Sequence, residues 1–222
     1  MNRWFAVSAC GEVPHGAVAH TQLLGQELVL WRSASGALNA WENRCPHRGV
    51  RLTLGDCVGE ELRCQYHAWR FATGSGHCTH IPAHPGQKPA SNIRARVYPV
   101  FEDGAFIWVN LAHDAVPPNA AAAPPGLALR SIFTRAPVAA VTGQLLHGYA
   151  DHAVCLVDEF TLDVAPAAHR SVRFMLQPVT GEQCILHAHL HGEVTALERL
   201  SVLKVHNALM SAVRDRAEAA RA

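Results

Sequence analysis

The sequence predicts a mainly β (α+β) protein: a sandwich or barrel of short strands, then an antiparallel sheet closed by a C-terminal helix. Three observations predict it. Short extended segments recur between Gly-, Asn- and Asp-containing turns as far as Asn110. A second extended set runs from Leu127 to His191. Then Val202, Val205, Leu209, Val213, Ala217 and Ala220 fall at helical spacing.

Taken in order, residues 4–8 read as a strand. Residues 17–24 and 27–32 follow, joined at Gly25-Gln26. After a turn at Ser35-Gly36, residues 38–41 lead toward Cys45. Residues 62–64 and 68–71 flank a second Cys-His stretch, and residues 73–76 close a hairpin. Asp103-Gly104 joins residues 97–102 to 105–110 in another. Residues 113–126 hold four prolines and a run of alanines, which predicts a linker between one domain at 1–112 and a second at 127–222. Beyond it, residues 127–141 alternate loosely. Residues 153–164, 170–178 and 184–191 read as strands, with a turn at Thr180-Gly181. Thr195 and Glu198 make a capping box, so the helix is expected over 196–219, covering a sheet.

With 222 residues and 49% apolar content, the chain can bury a substantial core. A formal net charge of +1 gives no argument for nucleic-acid or membrane partners. Two of the seven cysteines fall in the Cys-His stretches. The other five (Cys10, Cys57, Cys78, Cys155 and Cys184) are scattered and odd in number, so no disulfide framework is expected. That fits a reducing cytoplasm. The N-terminus lacks the pattern of a signal peptide, and no apolar stretch is long enough to span a bilayer.

The chemistry concentrates between Cys45 and His67. Cys45-Pro46-His47 is followed after sixteen residues by Cys64-Gln65-Tyr66-His67. Cys2His2 donors suit tetrahedral zinc. They also suit a Rieske-type [2Fe–2S] cluster, in which two histidines replace two cysteines on one iron. A zinc finger of this composition usually pairs Cys with Cys and His with His. Here each stretch supplies one of each, as two irons require if one takes both thiolates and the other both imidazoles. The order favours the cluster, with zinc the alternative.

The flanking residues carry a resemblance. Asn43-Arg44-Cys45-Pro46-His47-Arg48-Gly49 and Leu62-Arg63-Cys64-Gln65-Tyr66-His67-Ala68-Trp69-Arg70-Phe71 resemble the Rieske loops of ring-hydroxylating and O-demethylating non-haem iron oxygenases. The vanillate O-demethylase and phthalate oxygenase type is nearest. The resemblance runs from Trp4 to Leu111. It implies a Rieske [2Fe–2S] β-sandwich with Cys45, Cys64, His47 and His67 as ligands. Respiratory Rieske proteins carry a further cysteine in each loop, forming a disulfide; none stands here. Tyr66 and Trp69 are expected to pack round the cluster, and Gly49 to serve the loop turn. Arg44, Arg48, Arg51 and Arg70 are candidates for docking an acidic reductase or ferredoxin.

The resemblance also implies a mononuclear Fe(II), held by two histidines and a carboxylate, on this chain or on a partner subunit. His147 and His152 have a His-x4-His spacing, but Gln144 stands where the family has an aspartate, and the stretch reads as strand and turn. His187, His189 and His191 share one face of a predicted strand, read as a wet or partner-facing surface. Asp158, Glu159 and Asp163 are available carboxylates, and no catalytic side chain is singled out. Beside the family's catalytic domain the second half looks like a shortened antiparallel sheet with a terminal helix. The implied role is the Rieske component of an oxygenase, relaying electrons toward dioxygen-dependent hydroxylation or demethylation of an organic, aromatic substrate. The alternative is an accessory electron-transfer subunit with no iron chemistry of its own. The family's habit implies a homo- or hetero-oligomer, trimer-based, with cluster and iron facing each other across subunits.

Overall fold

The structure, a computed structural model, describes residues 2–118, 122–148, 153–165 and 170–220. Its first half runs through β1 (Phe5–Ala9), β2 (Val18–Leu23), β3 (Gln26–Arg32), β4 (Leu38–Glu42), β5 (Asp56–Val58), β6 (Glu61–Arg63), β7 (Arg70–Ala72), β8 (Cys78–His80), β9 (Val97–Tyr98), β10 (Val100–Glu102) and β11 (Phe106–Val109). These strands form three sheets, in the orders β1-β11-β10, β2-β3-β4-β9 and β5-β6-β7-β8.

Strand alternation divides their side chains between two cores. On β3, Leu28 and Leu30 enter one core, while Val29 and Trp31 enter another. Successive residues of a strand point to opposite faces. On β4, Ala40 joins the first core and Trp41 the second. The second core also encloses Cys45, Leu52, Leu62, Cys64 and Phe71. One sheet therefore carries both Cys-His loops on one face and rests on the main core with the other.

The second half comprises β12 (Gly126–Ala128), β13 (Ile132–Thr134), α1 (Val138–Gly148), β14 (Ala153–Asp158), β15 (Thr161–Ala165), β16 (Val172–Thr180), β17 (Gln183–His191) and α2 (Ala196–Ala219). Its strands form a six-stranded sheet in the order β12-β17-β16-β15-β14, with β13 also pairing β17. The mainly β expectation and the terminal helix hold. Thr195 caps α2: the Glu198 backbone N–H donates to Thr195 Oγ1 at 3.3 Å, and the Thr195 backbone N–H donates to Glu198 Oε2 at 3.1 Å. Met210, Val213 and Ala217 bury the helix against the main core. Among the described residues no helix is long and apolar enough to cross a membrane.

Two expectations fail here. Where loosely extended chain was expected after residue 127, α1 intervenes. Pro137 opens it, accepting from the N–H groups of Ala140 and Val141, and Val141 and Leu145, four residues apart, are fully buried. The same stretch carries β-branched Val138, Val141 and Thr142 and then Gly143, all weak helix formers, which mask that spacing in the sequence. The strand expected over 153–164 is a hairpin. Asp158 accepts the Phe160 N–H at 2.8 Å on its side chain, a turn device of aspartate.

The main core draws on both halves: Phe5, Val7 and Leu28 share it with Phe174, Leu186 and Met210. Full burial of each such side chain contributes about 1.5–3 kcal/mol. In the Pro/Ala-rich segment, residues 119–121 lie outside the described residues. After them, Ala123 donates to the Asp103 carbonyl and Pro125 accepts from Gly192, both at 2.8 Å.

Candidate metal centre

The two Cys-His loops are the same turn built twice. In the first, the Cys45 N–H donates to the Val50 carbonyl, and the Gly49 N–H donates back to the Cys45 carbonyl, both at 2.8 Å. In the second, the Cys64 N–H donates to the Trp69 carbonyl at 2.9 Å and the Ala68 N–H to the Cys64 carbonyl at 3.0 Å. The residue four after each cysteine has a left-handed backbone: Gly49 at φ +72° and Ala68 at φ +55°. A β-carbon on Gly49 would meet no atom within 4 Å, so its φ, rather than protein crowding, asks for glycine.

These turns place the four side chains as two pairs. The Cys45 and Cys64 thiols are buried within hydrogen-bonding reach of each other. Burial pushes the Cys45 thiol up to about 11, and the neighbouring Cys64 adds to the rise. The backbone N–H groups of His47 and Arg48 pull it down again by hydrogen bonding to the sulfur, as a thiolate would require. Further out, His47 Nδ1 and His67 Nδ1 stand 3.1 Å apart. Two donors at about 2.1 Å on one tetrahedral metal stand about 3.4 Å apart, so the imidazoles are set to share an ion. Desolvation, then the neighbouring His67 and Arg48, hold His47 below the usual imidazole range, which favours the neutral ring a metal needs. Among the described residues, no three His, Cys, Asp or Glu side chains converge as a single-ion site would need. Two buried thiols below two outer imidazoles fit a two-iron cluster, in which each iron takes only two protein ligands.

Trp69 stacks on His47 with centroids 4.1 Å apart and planes at 5°, so it packs against that ring. Tyr66 differs. It is 58% exposed and lies over His67 at 3.8 Å, outside the core, because the second loop turns its tip to solvent. Arg51 pairs with Glu27 and Arg70 with Glu61, whereas Arg44 and Arg48 are exposed without an ion-pair partner among the described residues. Sequence reading missed the two backbone N–H donors to Cys45. It also missed the left-handed Ala68, since alanine gives no local signal for that conformation.

The other candidate iron ligands are not brought together. His147 is exposed at the end of α1, a helix rather than the expected strand and turn, and His152 lies outside the described residues. Asp163 pairs with Arg173 at 2.7 Å, and Asp158 pairs with Arg3. The histidine trio is not a wet surface either: His187 and His189 are buried, because the opposite half of the molecule covers that face of β17.

The family model for the Rieske [2Fe-2S] domain matches residues 3–99. Among curated proteins, the chain is 35% identical over 209 residues to Oxidoreductase NdmD of Pseudomonas putida, covering 86% of this chain and 36% of that protein. It is 38% identical over 110 residues to the 4beta-methylsterol monooxygenase of Methylococcus capsulatus, covering 49% of this chain and 30% of that protein. The chain thus spans about a third of these relatives' length. Among solved structures, apo dicamba monooxygenase shares the fold with a TM-score of 0.77 at 20% identity, covering 98% of this chain and 85% of that one. Residues 3–99 are therefore a Rieske [2Fe-2S] domain, set in a chain similar to Rieske-type oxygenases.

Proposed function

We propose that Cys45 and Cys64 hold the inner iron of the [2Fe–2S] cluster, His47 and His67 hold the outer one, and the chain relays electrons within an oxygenase system. The observation that carries the ligand assignment is the 3.1 Å approach of the two imidazole Nδ1 atoms, outside two paired thiols. When bound, the cluster supplies one-electron transfer at a potential above that of an all-cysteine cluster. The protein does the rest. The core of Trp31, Trp41, Leu52, Leu62 and Phe71 keeps water from the thiol side. The half-buried His47 and the exposed His67 bring the outer edge to the surface, where an electron can enter or leave.

A reductase or ferredoxin is the donor this reading calls for, and Arg44 and Arg48 offer it a basic approach. The acceptor is the mononuclear iron of an oxygenase that hydroxylates or demethylates an organic, aromatic substrate. The residues of the two loops resemble those of the vanillate demethylase and phthalate oxygenase type, and this reading calls for an oligomeric assembly. The five cysteines outside the two loops, none of them in a disulfide, fit a reducing cytoplasm. A domain boundary within 113–126 belongs to the same reading.

One observation favours a second reading, an accessory electron carrier. The likeness to NdmD, named an oxidoreductase, covers 86% of this chain and so takes in residues of both halves, whereas that to the sterol monooxygenase covers 49%. Iron and acid-labile sulfide, measured on anaerobically purified protein, decide between the two. About two irons and two sulfides per chain, lost in Cys45→Ser and His67→Ala, support the carrier. A third iron, retained in those variants and lost in His147→Ala or His152→Ala, supports an oxygenase centre on this chain. Zinc without sulfide sinks both.

A further inference from the structure

A buried N–H without an acceptor costs about 1–3 kcal/mol, so each such group in a folded protein calls for an explanation. Trp31 Nε1 and Trp41 Nε1 are both buried without a partner. Both side chains are fully enclosed, in the same apolar core as Cys45 and Cys64. The two indoles meet edge to face, with centroids 5.0 Å apart and planes at 81°, so neither is free to swing. That contact offers a ring face to at most one of the two N–H groups. Elsewhere the chain does satisfy an indole: Trp108 Nε1 donates to Asp103 at 2.8 Å. Asn43 Nδ2 also lacks a partner, but it borders a polar cleft with Glu27 and Arg44, where water can serve it. The buried side chains that share the indoles' core are apolar apart from Cys45, Cys64 and Cys78.

We propose that the Trp31–Trp41 pair supplies an indole N–H to the sulfur atoms of the cluster and thereby raises its reduction potential. This rests on the assignment of the cluster to Cys45, His47, Cys64 and His67. Among the buried side chains of that core the acceptors are sulfur atoms, and the cluster would add its sulfides to the thiolates of Cys45 and Cys64. Reduction adds negative charge to the cluster, so a donor aimed at sulfur stabilises the reduced form more than the oxidised form.

The test uses Trp31→Phe, Trp41→Phe and, as control, Trp108→Phe. Phenylalanine keeps a ring and removes the N–H. Iron, sulfide and the reduced EPR spectrum come first; absence of a cluster from the wild-type protein sinks the ligand assignment and this inference with it. On loaded proteins, an EPR-monitored redox titration gives the potential. In one or both of the first two variants, the reduced-to-oxidised ratio at fixed poise is expected to fall about tenfold, about 59 mV for a one-electron couple. Trp108→Phe is expected to match wild type. Wild-type potentials in both loaded variants would overturn the proposal. Should a variant fail to load, wild-type protein labelled with ¹⁵N-indole tryptophan decides by pulsed EPR. A ¹⁵N coupling to the reduced cluster supports the donor role, and its absence overturns it.

Discussion

His187 Nε2 meets Gln177 Oε1 at 2.8 Å between the two longest strands of the sheet, with both side chains shut off from solvent. The amide oxygen can only accept, so Nε2 carries the proton and Nδ1 accepts from the Ser131 hydroxyl, also at 2.8 Å. The Gln177 amide then donates to Thr21 Oγ1 and the Gln22 carbonyl, each at 2.8 Å. A buried polar chain thus crosses from the second half into β2 of the first. Each link leaves the next without an alternative, so removing one orphans its neighbours.

His187→Leu keeps apolar volume while orphaning the Gln177 carbonyl and the Ser131 hydroxyl. A loss of about 2–6 kcal/mol is expected, at about 1–3 kcal/mol per orphaned group. Urea unfolding of the two proteins at pH 7.5 measures it. Equal midpoints would mean that the chain of bonds contributes nothing.

Burial brings the same imidazole from its ordinary 6.5 down to about 4. The folded protein keeps His187 neutral where the unfolded chain takes up a proton. Its contribution is therefore complete above pH 6.5 and declines as pH falls from 6.5 toward 4. At about 1.36 kcal/mol per pH unit the decline totals roughly 3 kcal/mol. Wild type should lose stability across this window more steeply than His187→Leu, because the variant lacks the titrating group. Parallel stability curves would remove His187 from the account.

His187 also marks where sequence reading stopped. The strand of three alternating histidines was legible, and so was their shared face, because period two is a local property. Their burial was not, since it depends on Phe106 and Thr21 coming from the other half of the chain. The same contrast runs through the site. Cys45, His47, Cys64 and His67 stood out by residue type and spacing. The turn that places His67 opposite His47 depends on a left-handed Ala68, which no pattern announces. Helix α2 was read with its cap because Thr195 and Glu198 are a local signal. Helix α1 was missed because Val138, Val141, Thr142 and Gly143 are weak helix formers and only Val141 and Leu145 are buried.

The matched turns predict opposite outcomes for two small substitutions. Gly49→Ala puts a β-carbon into open space but at φ +72°, where L-residues pay about 1–2 kcal/mol. Ala68→Gly relieves that strain at φ +55° and gives back about 0.5–1 kcal/mol of chain entropy, so it is neutral to slightly stabilising. Thermal unfolding should rank Gly49→Ala below wild type and Ala68→Gly at or above it. The reverse ranking would mean that the two turns are not equivalent.

Arg44 and Arg48 flank the first loop, exposed and unpaired among the described residues, while their neighbours Arg51 and Arg70 are held by Glu27 and Glu61. Only the first two are free to meet an incoming acidic surface without first breaking a bond. Exposed charges act on approach rather than on the final contact, so their effect is on the association rate and is screened by salt. Charge reversal at Arg48, as Arg48→Glu, is expected to slow reduction by an acidic reduced ferredoxin about tenfold at low ionic strength. At 1 M salt the screening length is about 3 Å, and the variant should react as fast as wild type. Stopped-flow reduction at the two ionic strengths separates this from damage to the centre. A damaged centre would stay slow at high salt, and a rate equal to wild type at low salt would place the docking surface elsewhere.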